Sequence, residues 1–311
     1  MALIVAFVVT VVATPLCGRL ARRVGLVDRP GPLKVHARPV PYLGGLAVLF
    51  GLLGPVSASR PALLGPFVGA AALGLLDDRS GLSAQTRLGA EMLIGVAVAA
   101  IVAGDSPGRF LLAVVVTVVL VNAVNLLDGL DALAGGVAAV AAAGFVVILT
   151  GEPRALAAAL VGSAVGFLVW NRPPARIYLG DCGSYLVGTV LAVLVTDAWG
   201  ADGSTAAASL LLVAVPVADT VVAVVRRARA GAPLLAGDRG HVYDQLVDRG
   251  RAPGATVLAL IGAQAALAVV GAGVAATGGP TAVVLATVVV AAVGGPVLAI
   301  FTRPGRTDAD R

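Results

Sequence analysis

The stretch VNAVNLLDGLDALAGG, residues 121–136, closes a long apolar run with Asn122, Asn125, Asp128 and Asp131. An Asp at the centre of a membrane helix costs about 2.5–3.5 kcal/mol on insertion scales. Polar groups placed together here therefore need water or a ligand around them. Asn122, Asn125 and Asp128 recur every third residue, so they share one helix face that drifts slowly round the axis. Gly129 is expected to break the helix, with Asp131 on the next helical turn. Two more acidic features accompany this one: Asp77 and Asp78 in LLDD, and Asp181 in RIYLGDCGS. Carboxylates gathered on a basic face suit Mg²⁺, with Mn²⁺ as a substitute, because these hard cations take oxygen ligands and often arrive with substrate phosphates. Lys34, Arg38 and Arg239 offer the counter-charge that phosphate oxygens require. Each feature alone has a plainer reading: a solvated helix end, a simple turn, an interhelical amide, an exposed His. Their order and common side are what carry the argument.

The elements that must hold these residues are membrane helices. The chain has 311 residues, 59% hydrophobic and 13% charged, with a mean hydropathy of +0.98; soluble domains carry about a quarter charged residues. The apolar blocks are built from Ala, Val and Leu with 40 Gly, which favours close helix packing through small side chains. We read an all-α, polytopic integral membrane protein forming a single unit over residues 1–311. About eleven segments qualify as spans: 2–18, 43–59, 61–76, 88–103, 110–127, 132–150, 154–170, 183–197, 205–225, 254–275 and 280–301. The first lacks a basic leader and is read as a retained helix rather than a cleaved signal.

Charge sets the expected orientation. Of the 22 Lys and Arg residues, 19 fall on one set of alternate loops, and Arg60, Arg109 and Arg154 fall on the other. The positive-inside rule then puts the N-terminus outside and the C-terminus in the cytoplasm of a plasma-membrane protein. The polar segments 19–42, 77–87, 128–131, 171–182 and 226–253 all share the basic side. The opposite loops, such as GDSPGR and TGEPR, are short. One cytoplasmic active site is expected. A pI near 9.9 suits anionic lipid headgroups and anionic substrates. Aromatics at 4% and the absence of a binding motif argue against nucleic acid. Cys17 and Cys182 show no metal spacing.

The series PVPYLGG, LLDD, NAVNLLDGLDALAGG, RIYLGDCGS and D-R-G-H resembles, in that order from about residue 28 to 250, the polyprenyl-phosphate N-acetylhexosamine-1-phosphate transferases. About eleven helices and an outward N-terminus suit the N-acetylglucosamine 1-phosphate branch better than the ten-helix peptidoglycan branch. The resemblance implies that a polyprenyl phosphate attacks the sugar-linked phosphorus of a UDP-sugar, releasing UMP and leaving a polyprenyl-diphospho-sugar in the membrane. By the same resemblance Asp181 is a Mg²⁺ ligand, and Asp77 and Asp78 are the acidic pair given to catalysis and metal placement. Asn125, Asp128 and Asp131 match N-x-x-D-G-x-D, whose last Asp is associated with the uracil end. Lys34, His36 and Arg38 border the nucleotide pocket, and His241 falls in the catalytic loop. Family members also suggest a homodimer.

Two departures stand out. The usual His-x-His-His loop reads His241-Val242-Tyr243-Asp244, so Tyr243 and Arg239 are expected to substitute. Ala132 replaces a Gly of the D-G-x-D-G element. Another UDP-N-acetylhexosamine or UDP-muramoyl-pentapeptide stays open as donor, as does a direct or double displacement. An inactive, scaffold-like relative remains an alternative because of the altered loop. A CDP-alcohol phosphotransferase would need an Arg and two more acids after its motif, and ALAGGVAAVAAAG supplies neither. A transporter would need acids deep in its helices and repeated halves. No repeat is visible, and Asp219, beside Pro216, is read as the only acid well inside a long apolar run.

Overall fold

A computed structural model describes residues 1–29, 39–234 and 239–302. Lys34, His36 and Arg38 lie outside the described residues. The helices run α1 (Ala2–Val24), α2 (Gly44–Ser59), α3 (Leu64–Ser80), α4 (Ala84–Val102), α5 (Pro107–Leu127), α6 (Leu133–Ile148) and α7 (Gly151–Asn171). They continue as α8 (Gly180–Ala201), α9 (Gly203–Leu212), α10 (Ala214–Arg229), α11 (Val242–Asp248), α12 (Pro253–Thr277) and α13 (Gly279–Phe301). Two-residue strands β1 (Val27–Asp28) and β2 (Val40–Pro41) pair antiparallel between α1 and α2, a small departure from an all-helical chain.

All eleven apolar segments are helical. Among the described residues eight helices are long and apolar enough to cross a membrane, α9 and α10 together make a ninth candidate, and α2 and α6 are shorter apolar helices. Capping fixes several starts. Ser83 Oγ accepts from Thr86 N–H ahead of α4, and Ser106 precedes Pro107 at the head of α5. Asp202 Oδ1 accepts from Ser204 and Thr205 N–H, both at 2.9 Å, and starts α9.

α8 is the hub. It packs against α3 and α5, and also meets α2, α4, α6, α7 and α9. Most residues of α8 are buried, whereas in α13 only Ala282 and Ala286 are, so α8 is central and α13 lies at the edge. At the C-terminal end of α8, Arg60 grips Asp197 with both terminal guanidinium nitrogens, at 2.5 and 3.2 Å. Arg109 donates to Val102 O at 2.8 Å. Arg60 and Arg109 are therefore tied to protein at this end of α8. Asp181 starts the same helix, about 24 Å away at 1.5 Å per residue.

The segment 205–225, read as one helix, is two: α9 and α10 meet at a bend of 64°. Pro216 supplies the reason, since it has no N–H and its ring clashes with the carbonyl four residues back. The freed groups are not left bare. Val215 N–H donates to Gln264 Oε1 at 3.2 Å, while Gln264 Nε2 donates to Leu211 O at 3.1 Å. Val215 and Leu211 would be hydrogen-bonded to each other in a continuous helix. The amide of Gln264, fully buried on α12, is thus inserted into the broken bond. Away from water, unpaired backbone groups cost several kcal/mol. Gln264→Leu should therefore destabilise the protein by about 1–3 kcal/mol for each group left unpaired, read as a lower thermal midpoint in detergent. An unchanged midpoint would show that the bend needs no bridge.

Candidate active site

The acidic residues meet at the N-terminus of α8. Asp78 Oδ1 and Oδ2 accept from the N–H groups of Asp181 and Cys182, at 3.0 and 3.1 Å, and Asp128 accepts from Gly180 N–H. Exposed helix N–H groups and the positive end of the helix dipole favour anions there. Asp181 Oδ1 accepts from Asn125 Nδ2 at 2.5 Å, and Asn125 also reaches Ser184 Oγ at 3.2 Å. Asp77 has both oxygens engaged: Oδ1 by Leu82 N–H at 2.7 Å, and Oδ2 by Tyr185 O–H at 2.6 Å and Arg87 at 3.3 Å. Asp181 Oδ2 makes no hydrogen bond among the described residues.

Backbone contact makes this convergence possible. A Cβ at Gly74 of α3 would collide with the Asp181 carbonyl, and one at Gly45 of α2 would collide with Gly183. Gly44 and Gly45 N–H donate to Tyr178 O and Leu179 O, at 3.0 and 2.9 Å, and Tyr178 N–H donates to Pro41 O at 2.8 Å. α2, α3 and α8 therefore touch main chain to main chain beside the carboxylates.

The loop after α5 differs from expectation. α5 ends at Leu127, so Asp128 caps it, and Asp131 sits in the following turn rather than on a helix. Asp131 Oδ2 accepts from Ala175 N–H at 2.8 Å. Asn171 Oδ1 accepts from Ala132 N–H, while Asn171 Nδ2 donates to Ile177 O. Ala132 has φ 67°, a conformation that suits the Gly it replaces and strains Ala by about 1–2 kcal/mol. Burial, with Asp181, Asp78 and Asp131 close by, holds the Asp128 carboxyl well above the usual carboxylate range.

The face shared by Asn122 and Asn125 splits between two neighbours. Asn122 donates to Glu91 Oε2 at 2.5 Å. Glu91, 1% exposed inside α4, is a second acid deep in an apolar helix and corrects the reading that Asp219 is the only one.

The loop expected at 226–253 contains α11, started by His241. His241 is buried and paired with Asp219, 2.7 Å away. Tyr243 stacks on it at 5.6 Å and 7°, and its hydroxyl reaches Leu126 O at 3.3 Å. Arg239 is 70% exposed and stands 3.9 Å from Asp244, a surface pairing of small energy.

Sequence reasoning did not single out Glu91, Arg87, Tyr42, Tyr178 or Tyr185. The two loop tyrosines tilt together with ring centres 6.3 Å apart. Burial, with Asp131, Asp28 and Asp128 nearby, pushes the Tyr178 hydroxyl up to about 12. A signal was available: the chain has four Tyr, and each stands beside one of these acids.

This arrangement concentrates negative charge, and Arg87 pairs with Asp77 at 3.3 Å. Among the described residues no three His, Cys, Asp or Glu side chains converge enough to hold a metal alone.

The description of glycosyl transferase family 4 matches residues 61–198, which carry Asp77, Asp78, Asn125, Asp128, Asp131 and Asp181. The decaprenyl-phosphate N-acetylglucosaminephosphotransferase of Mycobacterium leprae is 31% identical over 309 residues, covering 81% of this chain and 78% of that one. The chain belongs to glycosyl transferase family 4. Another member, the probable undecaprenyl-phosphate N-acetylglucosaminyl 1-phosphate transferase of Bacillus subtilis, is 30% identical over 83% of this chain and 80% of its own. The undecaprenyl-phosphate alpha-N-acetylglucosaminyl 1-phosphate transferase of Escherichia coli O157:H7 is 26% identical, over 75% and 72%. Asp219 and His241 lie beyond the stretch that the family description matches.

The backbone contact at Gly74 gives this family member a sharp test. Gly74→Ala should destabilise the protein by about 1–3 kcal/mol and lower activity, because the methyl meets main chain that cannot rotate away. Gly69→Ala, on the same helix with nothing within 4 Å of the added carbon, should leave both unchanged. Thermal melts of the two variants side by side decide it; equal melts would refute the close approach.

Proposed function

We propose that this protein transfers N-acetylglucosamine 1-phosphate from a UDP-sugar to polyprenyl phosphate, with release of UMP. The reaction would take place at the cytoplasmic face of the plasma membrane, as the first membrane step of a cell-envelope glycopolymer. The observation that carries the reading is the meeting of Asp78, Asp128, Asn125 and Asp181 at the head of α8, in a chain whose relatives bear N-acetylglucosaminyl phosphotransferase names.

Two anionic phosphates must approach each other in this reaction, so repulsion is the main obstacle. Asp181 would hold Mg²⁺, flanked by Asp77 and Asp78. Their oxygens accept hydrogen bonds but keep further lone pairs for a cation. Bound there, Mg²⁺ supplies the charge that offsets the paired phosphates and the leaving UMP. Asn125 orients Asp181, and Asp78 fixes the backbone of Asp181 and Cys182. Asp131 ties the turn after α5 to Ala175 and would face the uracil end of the nucleotide. Arg87, Arg239 and the basic residues Lys34, His36 and Arg38 would neutralise phosphate oxygens. The nucleophile is already an anion near neutral pH, so direct attack by the lipid phosphate requires no strong base. Asp77 is the group that would take any residual proton.

The test is UMP release by purified protein in detergent with Mg²⁺, a polyprenyl phosphate and UDP-N-acetylglucosamine. UDP-N-acetylgalactosamine and UDP-muramoyl-pentapeptide run in parallel. UMP should form only when lipid and UDP-N-acetylglucosamine are both present, and EDTA should stop it. Asp181→Asn should lose about 100-fold or more. Full activity in that variant, or UMP formed without lipid, would sink the proposal.

A further inference from the structure

Asp219 enters the bundle from α10, just past the bend at Pro216, and is 2% exposed. Its carboxylate accepts from Val242 N–H through Oδ1 at 2.6 Å and faces His241 Nδ1 through Oδ2 at 2.7 Å. A carboxylate that accepts on both oxygens leaves the proton of the second contact on Nδ1. In the neutral ring Nε2 then carries the lone pair. His241 Nε2 makes no hydrogen bond among the described residues. The ring lies flat on Tyr243, interplanar angle 7°. The Tyr243 hydroxyl touches Leu126 O and fills the space where Gly129 lacks a side chain. One face of the imidazole is thus braced against the loop that carries Asp128.

We propose that Asp219 is the positioning residue of His241: it sets the imidazole tautomer and aims Nε2 into the site as an acceptor, with Tyr243 holding the ring plane. The inference rests on the transferase reading for what His241 acts upon, but the pairing itself does not. Tyr243 and Asp219 hold His241 from two sides.

The sequence contains two His, so ¹⁵N-histidine labelling yields two imidazole signals, and His36→Gln assigns them. Wild-type His241 should show the Nδ1–H tautomer. Asp219→Asn, whose amide can donate to Nδ1, should move it to Nε2–H. In the UMP assay Asp219→Asn should lower kcat about 10- to 100-fold, with a smaller change in KM for the nucleotide sugar. Added to His241→Gln, the same change should cost nothing further. Equal losses with and without His241, or a tautomer unmoved by Asp219→Asn, would overturn the proposal. If Asp219→Asn does not fold, the wild-type signal still decides, because an Nε2–H tautomer there refutes the pairing. If wild type releases no UMP from any donor, the transferase reading fails while the tautomer measurement still stands or falls alone.

Discussion

Several carboxylates crowd the end of an apolar helix bundle, and the structure depends on how that charge is tolerated. Desolvation and mutual repulsion both oppose it. The answer is the N-terminus of α8, whose unpaired N–H groups are met by Asp78 and Asp128 and whose first turn carries Asp181. The same bonds that relieve the carboxylates also fix their positions. They also occupy N–H groups of Gly180, Asp181 and Cys182 that a helix end otherwise offers to anions.

Reaching that arrangement requires small residues away from the chemistry. Asp181 can stand beside α3, and Gly183 beside α2, because Gly74 and Gly45 let main chains touch. α8 is therefore buried through most of its length, anchored by Arg60 and Asp197 at one end and by carboxylates at the other. The rigidity needed to hold acids at a fixed separation comes from this packing of backbone on backbone, which has no side-chain rotamers to loosen it.

The bend between α9 and α10 follows the same logic in reverse. Pro216 breaks a span inside apolar surroundings, Gln264 repairs the open hydrogen bonds, and the redirected helix delivers Asp219 to His241. A buried amide on α12 and a buried acid on α10 would each be costly alone. Each instead satisfies a specific backbone or ring group of a neighbouring segment.

By itself the sequence determined the fold class, the positions of eleven apolar segments, the family resemblance and the acids that gather at one end. Hydrophobic length and motif spacing are local properties, readable along the chain. Asp77, Asp78, Asn125, Asp128, Asp131 and Asp181 were legible because polar residues in an Ala-, Val- and Leu-rich chain stand out. Only the tertiary structure decided that Asn122 turns to Glu91 while Asn125 turns to Asp181, that Asp78 caps α8, and that Gln264 fills the break at Pro216. It also decided that Asp219 and His241 are partners. Each of these is a contact between residues far apart in the chain, made by helix rotation and close approach, and a one-dimensional pattern does not encode which face of a helix a distant neighbour will meet.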